Sequence, residues 1–218
     1  MALNPRRTAL LICDVQERFR GAIHQFDAVA ATINRMLKAA AILELKVITT
    51  EQNPKALGHT IPELTQTINA LPAHLNLGTY EKSKFSMLTP EVCKVLGGRF
   101  ATLADPAAKA DPEGIERIIV VGIESHVCVL QTSLEAARLS AKDGGPAPIV
   151  IADAVSSVNA PEVPLALDRL RAAGVDVGSS ESVLFQLMGD AGQPNFREFQ
   201  RLIKGEIDNT KSSLKALL

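Results

Sequence analysis

Cys128 is the residue of this chain best placed to act as a nucleophile. It follows a β-branched run at residues 118–121 and Gly122, and the apolar residues after it recur at the spacing of one helical face. This pattern predicts a buried strand, a sharp turn and a helix that begins at or near Cys128. Unpaired backbone N–H groups and the helix dipole favour a thiolate there, and the thiolate is the nucleophilic form of cysteine. His126, two residues away, would not share a helix face with Cys128, so a Cys–His dyad is not expected.

A carboxylate and an ammonium group follow two other predicted strands. Asp14 ends an apolar run at residues 8–13, and Lys82 and Lys84 follow a short predicted strand at residues 77–80. An aspartate can carry a proton between a thiol and a leaving group, and a lysine charge favours the thiolate. Asp14 equally suits a polar residue that caps a turn, whereas the residue types alone favour ordinary surface charge for the two lysines.

Strand-like and helix-like segments alternate along the whole sequence. Strands are expected at residues 8–13, 46–50, 77–80, 117–122, 148–152 and 175–178. Helices are expected near residues 26–45, 62–70, from 89, from 128, and near 161–173, 180–188 and 195–203, followed by a polar tail. The alternation predicts an α/β fold with three αβα layers and an open, mostly parallel, six-stranded, Rossmann-like sheet. The carboxyl ends of neighbouring strands meet in one crevice of such a sheet, which would bring the three groups together.

Composition narrows the class of protein. The 218 residues are 46% apolar and 22% charged, as in globular proteins, and fit one domain over residues 1–218. With a net charge of −1, the chain has no excess of positive charge that would attract nucleic acid or an anionic membrane, so neither is an expected partner. No apolar run approaches the roughly 20 residues of a membrane span. The three cysteines form no CxxC pair and indicate free thiols in a reducing compartment, hence a cytoplasmic location.

Three motifs, taken together and in this order, resemble the isochorismatase-like cysteine hydrolases, a family that includes nicotinamidases. They are LLICDVQERF, KSKFS and VVGIESHVCVLQTS, and the resemblance covers nearly the whole chain. It implies the isochorismatase-like hydrolase fold and a catalytic triad of Asp14, Lys82 and Cys128. The lysine is Lys82, and not Lys84, because the family's lysine lies three residues before an aromatic–serine pair, here residues 85–86.

The resemblance also implies an oxyanion hole. The family has a cis peptide bond after the glycine of the fourth strand, which falls here between Ile123 and Glu124. The backbone N–H groups of Glu124 and Cys128 would then face a developing oxyanion, and each such donor is worth roughly 3 kcal/mol of barrier. The residues expected to line the substrate pocket are Phe19, Phe85 and Ser125.

The segment after the second strand argues against a metal-dependent nicotinamidase. Nicotinamidases of the family bind a metal there through an Asp-x-His pair, whereas this chain has TTEQNP. Glu51 and His59 alone would make a poor metal site, so no metal and no cofactor are expected. The stretch TEQNPKALG resembles instead the isochorismatase domain-containing subgroup. Members that cleave isochorismate dispense with the cysteine nucleophile, so Cys128 favours amide-type hydrolysis.

Two classes of function remain open at this point. The first is an enzyme, an amidase-like hydrolase of C–N bonds that cleaves a small-molecule amide or related carbonyl compound through a Cys128 thioester. The second is a catalytically idle interaction or scaffold protein that retains the fold. Homo-oligomers are common in the family, and one is expected here. The sequence does not identify the substrate.

Overall fold

A single parallel sheet forms the centre of the molecule. The computed structural model describes residues 3–109, 111 and 113–217. Its strands are β1 (Thr8–Cys13), β2 (Lys46–Gln52), β3 (Asn76–Lys82), β4 (Arg117–Ile123), β5 (Ile149–Ser156) and β6 (Asp176–Gly178). They lie in the order β3-β2-β1-β4-β5-β6, and every neighbouring pair is parallel. The predicted open six-stranded α/β fold is therefore confirmed.

Helices cover both faces of this sheet. They are α1 (Phe26–Leu43), α2 (Pro54–Leu57), α3 (Pro62–Asn69), α4 (Pro90–Leu96), α5 (Ala101–Ala104), α6 (Cys128–Asp143), α7 (Glu162–Ala172), α8 (Ser180–Met188), α9 (Phe196–Gly205) and α10 (Ile207–Leu217). Within the described residues, no helix is both long enough and apolar enough to cross a membrane.

Alternate residues of the central strands enter two separate apolar cores. In β1, Leu10 and Ile12 pack on the side of α1, α3, α8 and α9, while Ala9 and Leu11 pack on the side of α4, α6 and α7. All six side chains of β1 are buried. A strand buried on both faces needs apolar residues at every position, which explains why β1 is a continuous apolar run instead of an alternating one.

Several predicted boundaries were wrong. β2 continues past residue 50 to Gln52, and β3 continues past residue 80 to Lys82. Two further boundaries were wrong because polar residues are buried. The fifth strand was expected to end at residue 152, but β5 continues to Ser156 and carries Asp153 in its interior, fully buried. Arg35 of α1 forms an ion pair with Asp153 at 3.4 Å. The predicted polar tail is helix α10, whose buried face consists of the short polar side chains Thr210 and Ser213. In both cases the polar residue type indicated an exposed position, whereas the side chain is buried.

The strand order reverses between β1 and β4, and this is where open α/β sheets bind ligands. Cys13, the last residue of β1, lies opposite Gly122 of β4. Gly122 has a φ of 111°, and a Cβ added there would lie 2.2 Å from the Cys13 carbonyl oxygen. A glycine is thus required for the two strands to approach closely beside the candidate site.

Candidate active site

The three groups expected to form a triad meet at this reversal point. Asp14 directly follows β1, Lys82 is the last residue of β3, and Cys128 is the first residue of α6. The Lys82 Nζ lies 2.7 Å from the Asp14 Oδ2. A carboxylate oxygen of Asp14, the Cys128 Sγ and the Cys13 Sγ all lie within 4.8 Å of one another. These side chains are buried, and Cys128 is 7% exposed.

The Lys82 ammonium group is held by four oxygen acceptors. Besides Asp14, it donates to the Gln52 Oε1 at 2.8 Å and to the carbonyl oxygens of Phe85 at 3.0 Å and Lys84 at 3.2 Å. Burial alone would lower the pKa of Lys82, but the carboxylate and the two sulfur groups around it raise the pKa above its ordinary value. The ammonium therefore stays charged, and its position is fixed.

A long cationic side chain is needed because β2 separates β3 from β1. Neighbouring strands lie about 4.8 Å apart, so Lys82 must reach across roughly 10 Å. Lys84 does not enter the site. Its Nζ contacts Glu135 at 2.8 Å on the surface, and its side chain is 46% exposed. The geometry thus separates the two lysines that the residue types alone left equivalent.

Asp14 is oriented by the strand that it faces. The Thr50 hydroxyl of β2 donates to the Asp14 Oδ1 at 2.8 Å, while Lys82 occupies the Oδ2. Asp14 itself has a φ of 52°, in the left-handed region. Thr50 and Gln52 were missed by the sequence analysis. Both are polar residues near the carboxyl end of β2, and this signal becomes usable only when the strand order places β2 between β1 and β3.

The loop before Cys128 leaves two backbone donors free. The Ile123–Glu124 peptide bond is cis, as the family resemblance implied. The Glu124 carbonyl oxygen accepts the N–H groups of Val127 and Val129 at 3.1 Å each. The N–H groups of Glu124 and Cys128 donate to no acceptor in the part of the chain that the structure describes. These are the two donors expected at an oxyanion hole.

A polar cluster lies beside this loop. The Ser157 hydroxyl, just after β5, bonds to the Ser125 hydroxyl and to the His126 Nδ1 at 2.9 Å. The Glu124 Oε2 accepts the Val158 N–H at 2.9 Å. His126 is therefore directed towards β5, consistent with the expectation that it does not pair with the cysteine.

The predicted pocket residues have three different environments. Phe85 is 51% exposed and its carbonyl oxygen contacts the Lys82 ammonium, so it lies next to the triad. Ser125 is buried and its hydroxyl is engaged by Ser157. Phe19 is half-buried and packs against the apolar core on the α1 side of the sheet. Among the described residues, Phe85 is the one of the three that forms a hydrogen bond with Asp14, Lys82 or Cys128.

The residues in the region of the family's metal site do not fit a metal. The Glu51 carboxylate already accepts hydrogen bonds from the Thr60 N–H and hydroxyl, at 2.7 and 2.8 Å, and contacts the His59 Nδ1 at 2.9 Å. Two side chains do not complete a coordination shell. Among the described residues, the one group of three potential ligands is Cys13, Asp14 and Cys128. The Lys82 ammonium against Asp14 opposes a second cation there.

The chain is similar in sequence to known isochorismatase-domain proteins. The protein-family model of the isochorismatase domain matches residues 8–182. Isochorismatase domain-containing protein 2 of Xenopus laevis is 39% identical over 201 residues, covering 92% of this chain and 85% of that protein. The secreted isochorismatase effector Isc1 of Phytophthora sojae is 38% identical over 202 residues, covering 93% of this chain and 87% of that protein.

Solved structures share the fold. The MAR1 ribonuclease of Caenorhabditis elegans has a TM-score of 0.77 and 34% identity, covering 93% of this chain and 92% of that chain. The ycaC gene product of Escherichia coli, an octameric hydrolase of unknown specificity, has a TM-score of 0.71 and 19% identity, covering 99% of this chain and 95% of that chain.

Proposed function

This chain belongs to the isochorismatase family, and from that membership we propose that it is a hydrolase that cleaves the C–N bond of a small amide or related carbonyl compound through a thioester on Cys128. The observation that carries the proposal is the buried 2.7 Å ion pair between Lys82 and Asp14, with the Cys128 Sγ within 4.8 Å of an Asp14 carboxylate oxygen. A buried ion pair beside a thiol is a costly arrangement for a merely structural site.

In the first half-reaction, Asp14 takes the proton of the Cys128 thiol and the thiolate attacks the substrate carbonyl carbon. The Lys82 charge stabilises the thiolate, since four acceptors fix the ammonium beside it. The negative oxygen that develops is bound by the free N–H groups of Glu124 and Cys128, each worth about 3 kcal/mol. Asp14 then donates its proton to the leaving nitrogen, and a thioester remains.

In the second half-reaction, water hydrolyses the thioester. Asp14 removes a proton from the water as it attacks, the same donors bind the second oxyanion, and the carboxylic acid leaves with the thiol regenerated. General acid–base catalysis of this kind contributes typically about 10²- to 10⁴-fold. The cycle requires no metal and no cofactor.

Two other hypotheses compete with this proposal. The first is an idle interaction protein that retains the fold. An RNA-cleaving activity is the second, because a relative of 34% identity carries the name MAR1 ribonuclease. A net charge of −1 provides no overall attraction for RNA, and the thiol, carboxylate and ammonium groups together are suited to acyl transfer.

One screen separates the three hypotheses. Wild type is incubated with a panel of small amides, ureides and nitrogen heterocycle carboxamides, and with a single-stranded RNA, and the products are read by mass spectrometry. We expect hydrolysis of a member of the amide panel, loss of that activity in Cys128→Ser, Lys82→Met and Asp14→Asn, and full activity in Cys93→Ser. RNA cleavage that survives Cys128→Ser would refute the proposal, as would amide turnover that survives it.

Assembly and compartment complete the proposal. A homo-oligomer is suggested by the octameric structural neighbour and is tested by light scattering of the purified chain. Cys13, Cys93 and Cys128 are all free, which suits a reducing, cytoplasmic compartment. The relative Isc1 is a secreted effector, so fractionation of cells that express the chain is the direct test of location.

A further inference from the structure

A second thiol, Cys13, lies inside the candidate site without a role in the hydrolytic cycle. It ends β1 directly before Asp14 and is fully buried. Its Sγ lies within 4.8 Å of the Cys128 Sγ and donates to the Asp14 Oδ2 at 3.6 Å. The preceding positions of β1, residues 9–12, are filled by buried apolar side chains. A thiol close to both the Cys128 sulfur and the Asp14 carboxylate can do chemistry that an apolar residue cannot.

We propose that Cys13 is a resolving thiol: after a hydroperoxide oxidises Cys128 to a sulfenic acid, Cys13 attacks that sulfur and closes a Cys13–Cys128 disulfide, which switches the site off reversibly. The proposal rests on the proposed role of Cys128 as the reactive thiol. It does not require that the chain hydrolyse any particular substrate. The disulfide would protect Cys128 from irreversible oxidation to the sulfinic acid.

The two steps balance. In the first, the Cys128 thiolate attacks one oxygen of the hydroperoxide and the O–O bond breaks. The other oxygen takes up the proton that Asp14 received from the Cys128 thiol and leaves as an alcohol or water. The sulfur is oxidised by two electrons and the peroxide is reduced by two. In the second, the Cys13 sulfur attacks the sulfenic sulfur and the S–O bond breaks. The departing hydroxide leaves as water with the proton from Cys13, which Asp14 relays. A dithiol reductant reverses the disulfide.

The surroundings of Cys13 and Cys128 give the two sulfurs different roles in the proposed oxidation. Burial first of all, and then the neighbouring Cys128 and Asp14, raise the pKa of Cys13 well above that of a free thiol. Cys13 therefore keeps its proton until Asp14 accepts it, and Cys128, beside the Lys82 charge and at the start of α6, is the sulfur that reacts first. Closure of the disulfide requires the two sulfurs, now within 4.8 Å, to approach to about 2.05 Å, and a rotation of the Cys128 side chain would supply this movement.

The third thiol is an internal control. Cys93 is buried in α4, and burial raises its pKa to about 12. Within the described residues, the group that holds two cysteines together contains Cys13 and Cys128 and leaves Cys93 out. Cys93 should therefore neither react with peroxide nor pair.

The test is peptide mapping after the addition of hydrogen peroxide in molar excess over the full chain, with N-ethylmaleimide added under denaturing conditions. We expect a cross-link between the Cys13 and Cys128 peptides, loss of two hydrogen atoms from the intact mass, alkylated Cys93, and reversal by dithiothreitol. Cys93→Ser should give the same cross-link. Cys13→Ser should give no cross-link and accumulate sulfinic acid on Cys128. Cys13→Ala, which adds no buried hydroxyl, repeats that test should Cys13→Ser fail to fold.

The outcome that overturns the proposal is specific. It is a wild-type chain in which Cys128 is converted to the sulfinic acid as fast as in Cys13→Ala and no Cys13–Cys128 cross-link appears. A chain that forms the cross-link but hydrolyses none of the amides would refute the proposed function and leave the resolving role of Cys13 intact. A chain that forms an acyl-enzyme but no cross-link would sink the resolving role alone.

Discussion

Replacement of Lys82 by methionine should strongly destabilise the chain. Methionine keeps most of the volume and removes the charge, leaving the Asp14 carboxylate, 1% exposed, without its cation. The removal of one partner from a buried ion pair costs about 3–5 kcal/mol, because the remaining charge stays desolvated. Two backbone carbonyls and the Gln52 side chain also lose a donor. We expect a loss of about 3–5 kcal/mol in the free energy of unfolding.

A double variant shows whether the broken ion pair causes the destabilisation of Lys82→Met. In Asp14→Asn/Lys82→Met the orphaned charge is gone, and the asparagine amide oxygen can still accept the Thr50 hydroxyl. The double variant should therefore be more stable than Lys82→Met alone, with a coupling energy of about 2 kcal/mol or more. Lys84→Met is the matched control, because its exposed contact with Glu135 is worth at most about 1 kcal/mol.

The assay is urea unfolding followed by far-ultraviolet circular dichroism. All variants are compared at one protein concentration, since an oligomer couples stability to concentration. Two results would refute the reasoning. One is a Lys82→Met chain that unfolds at the same free energy as Lys84→Met. The other is additivity in the double variant, which would mean that Lys82 and Asp14 are not energetically coupled.

The second buried ion pair and the loop after β2 give two further predictions. Arg35→Met should lower the free energy of unfolding in urea by about 3–5 kcal/mol, because the fully buried Asp153 carboxylate loses its cation. The double variant Arg35→Met/Asp153→Asn should recover part of that loss. A double variant that recovers none of it would contradict the account. Hydrogen bonding to Glu51 raises the pKa of His59, so the stabilisation from this pair is complete below the ordinary histidine pKa and is lost as pH rises through the raised value. The melting temperature of His59→Ala should accordingly lie below that of wild type at mildly acidic pH and converge with it at alkaline pH, and a pH-independent difference would exclude the mechanism.

The sheet could be predicted from the sequence because its strands are apolar runs. The continuous burial of β1 and β4 leaves a plain signal in residues 8–13 and 117–123, and the turn after each strand carries a polar residue. The extension of β5 could not be predicted, because Asp153 is typical of a strand end until Arg35 is placed against it. Arg35 and Asp153 are 118 residues apart in the sequence, and nothing in the sequence indicates that they pair.

Some residues of the candidate site could also be predicted from the sequence, and others could not. Asp14 and Cys128 stand out because each follows a buried strand, and the residue types alone could not choose between Lys82 and Lys84. That choice came from the family resemblance, and the 2.7 Å contact between Lys82 and Asp14 agrees with it. The supporting roles of Thr50 and Gln52 depend on which strand lies between β1 and β3. The position of Cys13 beside Cys128 depends on the pairing of β1 with β4.

Peptide-resolved alkylation of the native chain by iodoacetamide at neutral pH tests the central claim most directly. The account predicts that Cys128 is alkylated first, that Cys93 stays unmodified, and that Lys82→Met slows the Cys128 reaction by about tenfold or more, because the ammonium charge that favours the thiolate is removed. The account is contradicted by a Cys128 that resists alkylation as Cys93 does, or by one that reacts equally fast with and without the Lys82 charge.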